Sequence, residues 1–288
     1  MGTLFVVATP IGNLGDLSPR SKETLQACAL IAAEDTRHTG QMLSRAGIRV
    51  PMISLNEHNL SQRITPVLNA LASGDVGLVS DAGTPTISDP GYQIVDAAHA
   101  AGYPVRAVPG PSAVVAALSV SGLAAVPFIF GGYAPRSAGE QDRWFRAWLG
   151  RPATLVCFES PNRVRKTVEL LARIAPERQI AVCRELTKVH EQVVRTTTRE
   201  ALALIDAGEI AERGEFVLVI GASDREANLD PEALLREQLD AGDRPNVAAQ
   251  TVAELTGLPK RELYARAVEI RSEGQQGEGE QAQNAPLS

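Results

Sequence analysis

The stretch that decides the fold is "VGLVSDAGTPTISDPG", residues 76–91. An apolar run, Val76 to Val79, ends in a loop rich in Gly and Pro, and a helical pattern follows. Strand, turn and helix in that order are the unit of a parallel α/β sheet. Ligands of such sheets gather at the carboxyl ends of the strands. The turn carries two aspartates, Asp81 and Asp89, and no Lys or Arg. A phosphate loop needs a Gly-rich backbone with a cation, so this turn is not one. Asp89 precedes Pro90 and is expected to cap the next helix. Asp81 is left to face a ligand bearing positive charge or hydroxyl groups.

The same unit repeats outward from this stretch. Strands are expected at Leu4–Ala8, Leu30–Ala33, Met52–Leu55, Val76–Ser80, Val105–Val108, Phe128–Phe130, Thr154–Phe158, Ile180–Arg184, Val193–Thr196 and Phe216–Ile220. Amphipathic helices separate them. In "SQRITPVLNALASG", Ile64, Val67, Leu68 and Leu71 share a face, Ser61 is the expected cap and Gly74 the stop. "SPNRVRKTVELLARIAP" places Ser160 as cap, Pro161 at the first helical position and Val164, Val168, Leu171 and Ile174 inward. The alternation predicts two α/β domains with mostly parallel sheets. Four strand ends, "VVATPIGNLGDLSP", "VSDAGTPTISDPG", "AVPGPSAV" and "CFESPNRV", turn through proline into a helix. Together they predict one shared pocket.

Composition agrees. In 288 residues, 44% are hydrophobic and only 4% aromatic, which suits Ala/Val/Leu/Ile cores and buried sheets. The net charge of −6 exerts no general pull on nucleic acid, so a polyanion would need a local basic surface. Residues 131–200 supply one, with 13 Lys/Arg against 8 Asp/Glu. Trp144 and Trp148, among Arg143, Arg146 and Arg151, are expected to pack in the core. Cys28, Cys157 and Cys183 are far apart and form no CxxC, so the reading is reduced, packed thiols in the cytoplasm. The N-terminus lacks the basic region of a signal peptide. "AVVAALSVSGLAAVPFIF", residues 113–130, has the length of a membrane span, but Ser, Gly and Pro interrupt it. A buried helix, a glycine break and a buried strand are expected instead.

Domain boundaries are placed at 1–123, 124–226 and 227–271, the last purely helical, with a low-complexity, disordered tail over 272–288. "AAQTVAELTGLPKRELY" has helix-turn-helix character, with Ala253 and Gly257 four apart. It is read as an RNA-contacting or structural module, since Lys260 and Arg261 stand nearly alone among acids.

Several chemistries are disfavoured. GxGxxG is absent, which argues against a dinucleotide Rossmann site. His38, His58, His99 and His190 are isolated, so no metal is expected. No GxSxG elbow anchors a hydrolase triad. The ligand class that remains includes S-adenosylmethionine, which carries a sulfonium, an ammonium and ribose hydroxyls but no phosphate. Polar loops after the strands form a rim: "EDTRH" at residues 34–38, "NEHN" at 56–59, Glu159 in "FESPNRV", and Arg184, Glu185 and Lys188 in "CRELTKVHE".

Taken in order, "VATPIGNLGDLSPR", "AEDTRHTG", "NEHN", "VSDAGTPTISDPG", "VPGPSA", "FIFGGYAPR", "FESPNRV", "CRELTKVHEQVVR" and "GEFVLVI" resemble the tetrapyrrole methylase superfamily. Within it they resemble the branch that methylates small-subunit ribosomal RNA. The resemblance implies two α/β domains with folded-over S-adenosylmethionine in the cleft between them. It implies 2′-O-methylation of a cytidine in the decoding region of 16S rRNA, by a homodimer. It also implies that Pro10, Asp81, Ala82, Gly83, Ser112, Ala113, Glu159, Glu215 and Phe216 surround the cofactor. Asp35, Arg37, His38, Asn162 and Arg163 are the expected substrate contacts. Glu159, Glu185 and Lys188 are the candidate catalytic groups, Lys188 acting as a base only if its surroundings lower its pKa. Two rival readings are a methylase of tetrapyrrole precursors with the same fold and a nucleic-acid-binding regulator that senses a small ligand.

Overall fold

The computed structural model describes residues 1–56, 59–223, 231–240, 242–256 and 258–283. Contact density divides the chain into two compact units, Met1–Ala222 and Ser223–Ser288.

The first unit holds two five-stranded sheets. One is entirely parallel, in the order β3-β2-β4-β1-β5, from β1 (Leu4–Val7), β2 (Leu30–Ala33), β3 (Met52–Ser54), β4 (Val76–Val79) and β5 (Val105–Val108). Helices α1 (Pro19–Ala27), α2 (Thr36–Arg45), α3 (Leu60–Ser73) and α4 (Tyr92–Ala100) make the crossovers. One face of the sheet carries the cluster of Leu4, Leu71, Leu78 and Ile94, and the other that of Val7, Leu25, Ile31 and Leu43. A sheet covered on both faces reads as continuous apolar runs, and the four residues of β4 are all buried.

The second sheet runs β6-β7-β10-β8-β9, from β6 (Phe128–Tyr133), β7 (Thr154–Glu159), β8 (Gln179–Arg184), β9 (Gln192–Thr197) and β10 (Phe216–Ile220). Only β6 and β7 pair in parallel; β7–β10, β10–β8 and β8–β9 are antiparallel. The expectation of mostly parallel sheets therefore fails here. The turn of residues 185–191 sends β9 straight back along β8, and β10 returns reversed between β7 and β8. Helices α6 (Ala138–Leu149), α7 (Pro161–Ile174) and α8 (Thr198–Asp206) bury Phe145, Val164, Val168 and Ile205 on the outer face. Trp144 and Trp148 pack there edge-to-face, 6.3 Å between centroids, as expected of core aromatics.

Residues 113–130 contain α5 (Ala113–Ser121), closed by Gly122 at φ 64. Val114, Ala117 and Leu118 pack on Val156, Cys183 and Val219 of the second sheet. So α5 covers the sheet beyond the boundary placed at residue 123. β6 is an edge strand, half-exposed rather than buried. No helix among the described residues is long and apolar enough to cross a membrane.

Three local expectations change. α3 starts at Leu60 after Asn59, so Ser61 is inside the helix rather than its cap. α4 starts after Gly91, whose φ of 122 no capping aspartate adopts with ease, so Asp89 caps nothing. The tail read as disordered from 272 continues the last helix as far as Gln283, because Glu, Gln and Ala favour helix.

The second unit contains α9 (Pro231–Asp240), α10 (Pro245–Thr256) and α11 (Lys260–Gln283) around Leu235, Ala249, Val252, Leu263 and Ala267. Arg266 and Arg236 both pair with Glu232, at 2.6 and 2.9 Å. Gly257 of the helix-turn-helix pattern and Glu57 and His58 of "NEHN" lie outside the described residues.

Candidate active site

The four proline turns converge. Thr9 and Gly83 exchange backbone hydrogen bonds, 2.9 and 3.1 Å, tying the end of β1 to the end of β4. Gly83 holds φ +81, a conformation that favours glycine. The Thr84 hydroxyl donates to the carbonyl of Pro111, 3.1 Å, joining the β4 turn to the start of α5. The Asp35 backbone N–H donates to Asp81 Oδ1, 3.1 Å, and the Asp81 N–H to Glu34 Oε2, 3.4 Å. Two acidic side chains thus brace the ends of β2 and β4.

These turns wall a cavity of about 350 Å³ between the two sheets. Five carboxylates line it, Glu34, Asp81, Asp89, Glu159 and Glu215, with no Lys or Arg among the described residues. Such walls repel phosphate and attract a cation. Apolar surface comes from Ile11, Ile87, Phe158, Leu186 and Val217, enough for a flat or aliphatic ligand part. Ser112 and Ser160 precede α5 and α7, and neither caps its helix through its side chain. The first-turn N–H groups of α5 remain as donors for an anionic ligand group, whereas α7 begins with Pro161, which has no N–H, and its Arg163 N–H donates to the Ser160 carbonyl, 3.0 Å. A zwitterion with a separate cationic centre fits this mixture.

Of the expected cofactor contacts, Asp81, Ala82, Gly83, Ser112, Ala113, Glu159 and Glu215 line the cavity. Pro10 lines an adjoining recess of about 210 Å³, with His38, Gln41, Arg45 and Lys188. Phe216 does not line it. The residue is buried in the outer core with Phe145 and Val164, and Glu215 and Val217 on either side face the cavity. Strand alternation sends neighbours to opposite faces.

Glu159 is buried, 2% exposed, with its oxygens committed. Oε1 accepts the Ser160 N–H at 2.8 Å; Oε2 accepts the Thr167 hydroxyl at 2.6 Å and lies 3.3 Å from Arg163. Gln141 donates to Thr167 behind it, 2.9 Å. A carboxylate so occupied is a wall of the site rather than a free base. Lys188 pairs with Glu185 and Glu215, 2.8 Å to each. Burial alone would lower its pKa, but the two carboxylates outweigh it and hold the ammonium charged. The condition for Lys188 as a base is therefore not met. Glu185, with a carboxyl held low by Lys188 and by the Glu215 N–H despite its partial burial, is its anchor.

Asp35 caps α2 through Oδ1, 2.8 Å from the Arg37 N–H, and pairs with the Arg37 guanidinium. These bonds hold its carboxyl well below the usual range. His38 Nδ1 stands 3.9 Å from Asp81 Oδ1 at the recess. Arg163 donates to the carbonyls of Ala134 and Pro135, 2.8 and 2.6 Å, so its guanidinium fastens β6 to α7. Asn162 lies outside the acidic cavity, on the exposed side of α7.

The residues missed from sequence are instructive. Asp89 faces the cavity, partly desolvated and bonded to Ser80, and burial pushes its carboxyl upward, with Asp81 adding to the rise. Its loop holds Thr86 at φ 73 and Ser88 at φ 64, conformations that non-glycine residues adopt at a cost. Tyr133 stands at the mouth, edge-on to Phe158 at 5.4 Å. Strand phase was the available signal for Val217.

Two parallel-to-mixed sheets with this acidic cavity at their meeting edges define a class of ligand-binding α/β enzyme. A model for the tetrapyrrole (corrin/porphyrin) methylases matches residues 3–202, and the chain belongs to that family. A model for the RsmI C-terminal HTH domain matches residues 226–271. Among curated proteins the chain is 44% identical to the ribosomal RNA small subunit methyltransferase I of Xylella fastidiosa, covering 91% of this chain and 98% of that one. The protein of that name from Synechocystis is 42% identical, with 95% and 100% covered. That from Escherichia coli O157:H7 is 40% identical, with 93% and 95% covered. Among solved structures, a uroporphyrin-III C-methyltransferase from Thermus thermophilus complexed with S-adenosylhomocysteine superposes at TM-score 0.52, 19% identity, over 77% of this chain and 97% of that one. A diphthine synthase superposes at 0.58, 18% identity, over 77% and 90%. These two likenesses concern the fold.

Proposed function

We propose that this chain methylates small-subunit ribosomal RNA with S-adenosylmethionine, at the 2′-hydroxyl of a cytidine in the decoding region of 16S rRNA. The observation that carries the cofactor is the cavity itself, lined by five carboxylates and no Lys or Arg among the described residues, with the uncapped start of α5 in its wall. The relatives' shared name supports the substrate.

S-adenosylmethionine supplies an electrophilic methyl carbon on a cationic sulfur. Asp81 and Glu34, braced by backbone N–H groups, set the negative field that favours that cation. The free N–H groups at the start of α5, beside Ser112 and Ala113, take the amino-acid carboxylate. The cavity wall is fixed through Glu159, Thr167 and Gln141 and would give a bound cofactor a rigid seat, which in-line methyl transfer requires. Methyl transfer to a 2′-hydroxyl would require a residue of this site to take up the hydroxyl proton. Asp89 fits that role, since it bonds to the neutral Ser80 hydroxyl, whereas Glu159, Glu185 and Glu215 hold cations. Lys188 and His38 flank the substrate side from the adjoining recess. The reading includes a cytoplasmic homodimer.

The test incubates the protein with methyl-labelled S-adenosylmethionine and small ribosomal subunits from cells lacking the modification. Label recovered in 2′-O-methylcytidine after nuclease digestion is the expected result. Label on a base, or in a tetrapyrrole offered in parallel, overturns it.

A further inference from the structure

A second cavity, about 690 Å³, opens on the outer side of the second sheet between α6 and α7. Its character is opposite to that of the first. Arg136, Arg163, Lys166 and Arg173 line it against one carboxylate, Glu169. Glu169 is itself 3.2 Å from Arg165, which is not part of the lining. Arg163 is committed to Glu159 and to two carbonyls, and Arg173 lies 3.7 Å from Asp142. Arg136 and Lys166 are both exposed, and among the described residues neither has an ion-pair or hydrogen-bond partner.

The polar side chains are ordered. Asn162, Lys166 and Arg173 fall on one face of α7, at spacings of four and seven residues. The row begins beside Ser160 and Pro161, which line the acidic cavity, and Arg136 stands next to it after β6. The groove therefore starts at the mouth of the methyl-transfer site and leads away along the helix. No aromatic residue lines it, so bases have no stacking surface there. Its floor is apolar at Leu170 and Leu202.

We infer that this groove holds the phosphodiester backbone of the RNA strand that carries the target ribose, through Arg136 and Lys166 with Asn162 beside them. The inference rests on the reading of ribosomal RNA as substrate. Phosphate contacts fix register without reading sequence. The first cavity repels phosphate and the second attracts it, which favours a strand placed with its ribose at the acidic mouth and its backbone in the basic groove.

The experiment compares the parent protein with the double variant Arg136→Gln/Lys166→Gln. Binding to unmodified small ribosomal subunits is measured across a salt series. Each lost contact to single-stranded RNA removes about 0.7 from the slope of log K against log salt. The variant's slope is expected to be shallower by about 1.4. Its KM for subunits rises, and its affinity for S-adenosylmethionine and its melting temperature stay with the parent's. Arg199→Gln is the control for charge alone, since that guanidinium is paired with Glu177 at 2.7 Å; its slope is expected to match the parent's. An unchanged slope in the double variant, with methylation of the subunits intact, overturns the groove but leaves the substrate reading standing. An equal loss of affinity for duplex DNA of the same length marks a generic polyanion surface and also overturns it. A parent protein that neither binds nor methylates the subunits overturns both.

Discussion

Lys188 Nζ lies 2.8 Å from Glu215 Oε2 at the rim of the acidic cavity, and its stem packs over Gly12 of the first sheet's opening turn. A Cβ at Gly12 would fall 2.4 Å from Lys188 Cγ, so the close approach requires a glycine. The lysine's charge is held within the second sheet's loops by Glu185 and Glu215, and its aliphatic stem reaches the first sheet at Gly12. Replacement by Arg keeps the charge, and the methyl-transfer rate is expected to stay within about threefold; Met is expected to lower it about tenfold. Because the Lys188 pKa is raised above its ordinary 10.5, its contribution to stability is complete below that value and is lost above it. Rate profiles from pH 6 to 9 should carry no Lys188 ionisation. A Lys188→Arg enzyme that is inactive while folded would return Lys188 to the role of a base.

Asp81 shares a hydrogen bond with the Asp35 N–H and faces the cavity. Asp81→Ala removes a charged acceptor from the cofactor's surroundings. A loss of roughly 10- to 100-fold in S-adenosylmethionine affinity is expected from a charge-assisted contact. Calorimetry checks it, and circular dichroism should show the fold retained. An unchanged affinity would remove Asp81 from the cofactor site.

Asp89 has a carboxyl raised from the ordinary 3.8 by burial, with Asp81 adding to it and Ser80 opposing it. The native state then holds a proton that the unfolded chain has released. Stability is fullest below pH 3.8 for this group and falls as pH rises through the elevated native value. Asp89→Asn is expected to be more stable than the parent near neutral pH and to lose methyl-transfer activity. Urea melts from pH 4 to 7 check the first part. A stability difference that ignores pH would contradict it.

Glu159 is the buried partner of Arg163, Thr167 and the Ser160 N–H. Removing one partner of a buried pair leaves the other uncompensated. Glu159→Ala is expected to lower stability by about 3–5 kcal/mol, and Glu159→Gln by less, since an amide keeps one acceptor. Thermal or denaturant unfolding reads both. A Glu159→Ala protein as stable as the parent would mean that Arg163 is adequately held by the carbonyls of Ala134 and Pro135.

Much of this molecule was legible in its linear chain. Among the described residues the ten strands lie where apolar runs and Gly/Pro turns predicted them, because strand runs and turn residues are local signals. The turn at Asp81 was legible for the same reason: acid, glycine and proline follow an apolar strand with no lysine nearby. Phe216 was misplaced although strand phase could have corrected it, since Glu215 and Phe216 cannot face the same side. Asp89 was misread because a Pro after an acid also matches a helix start, and the positive φ of Ser88 and Gly91 is invisible without the backbone.

By itself, then, the sequence determined the order of elements and the acidic character of the main turn, which follow from neighbours in the chain, while its ordered motifs carried the resemblance to the family. Only the tertiary structure decided the rest. It reversed β10 between β7 and β8, paired Lys188 with Glu185 and Glu215, buried Glu159 among its partners, and lined up Lys166 and Arg173 beside Arg136. Each of these joins residues that local propensity treats independently; hydrogen-bond partners, desolvation and charge pairing arise only when distant segments meet.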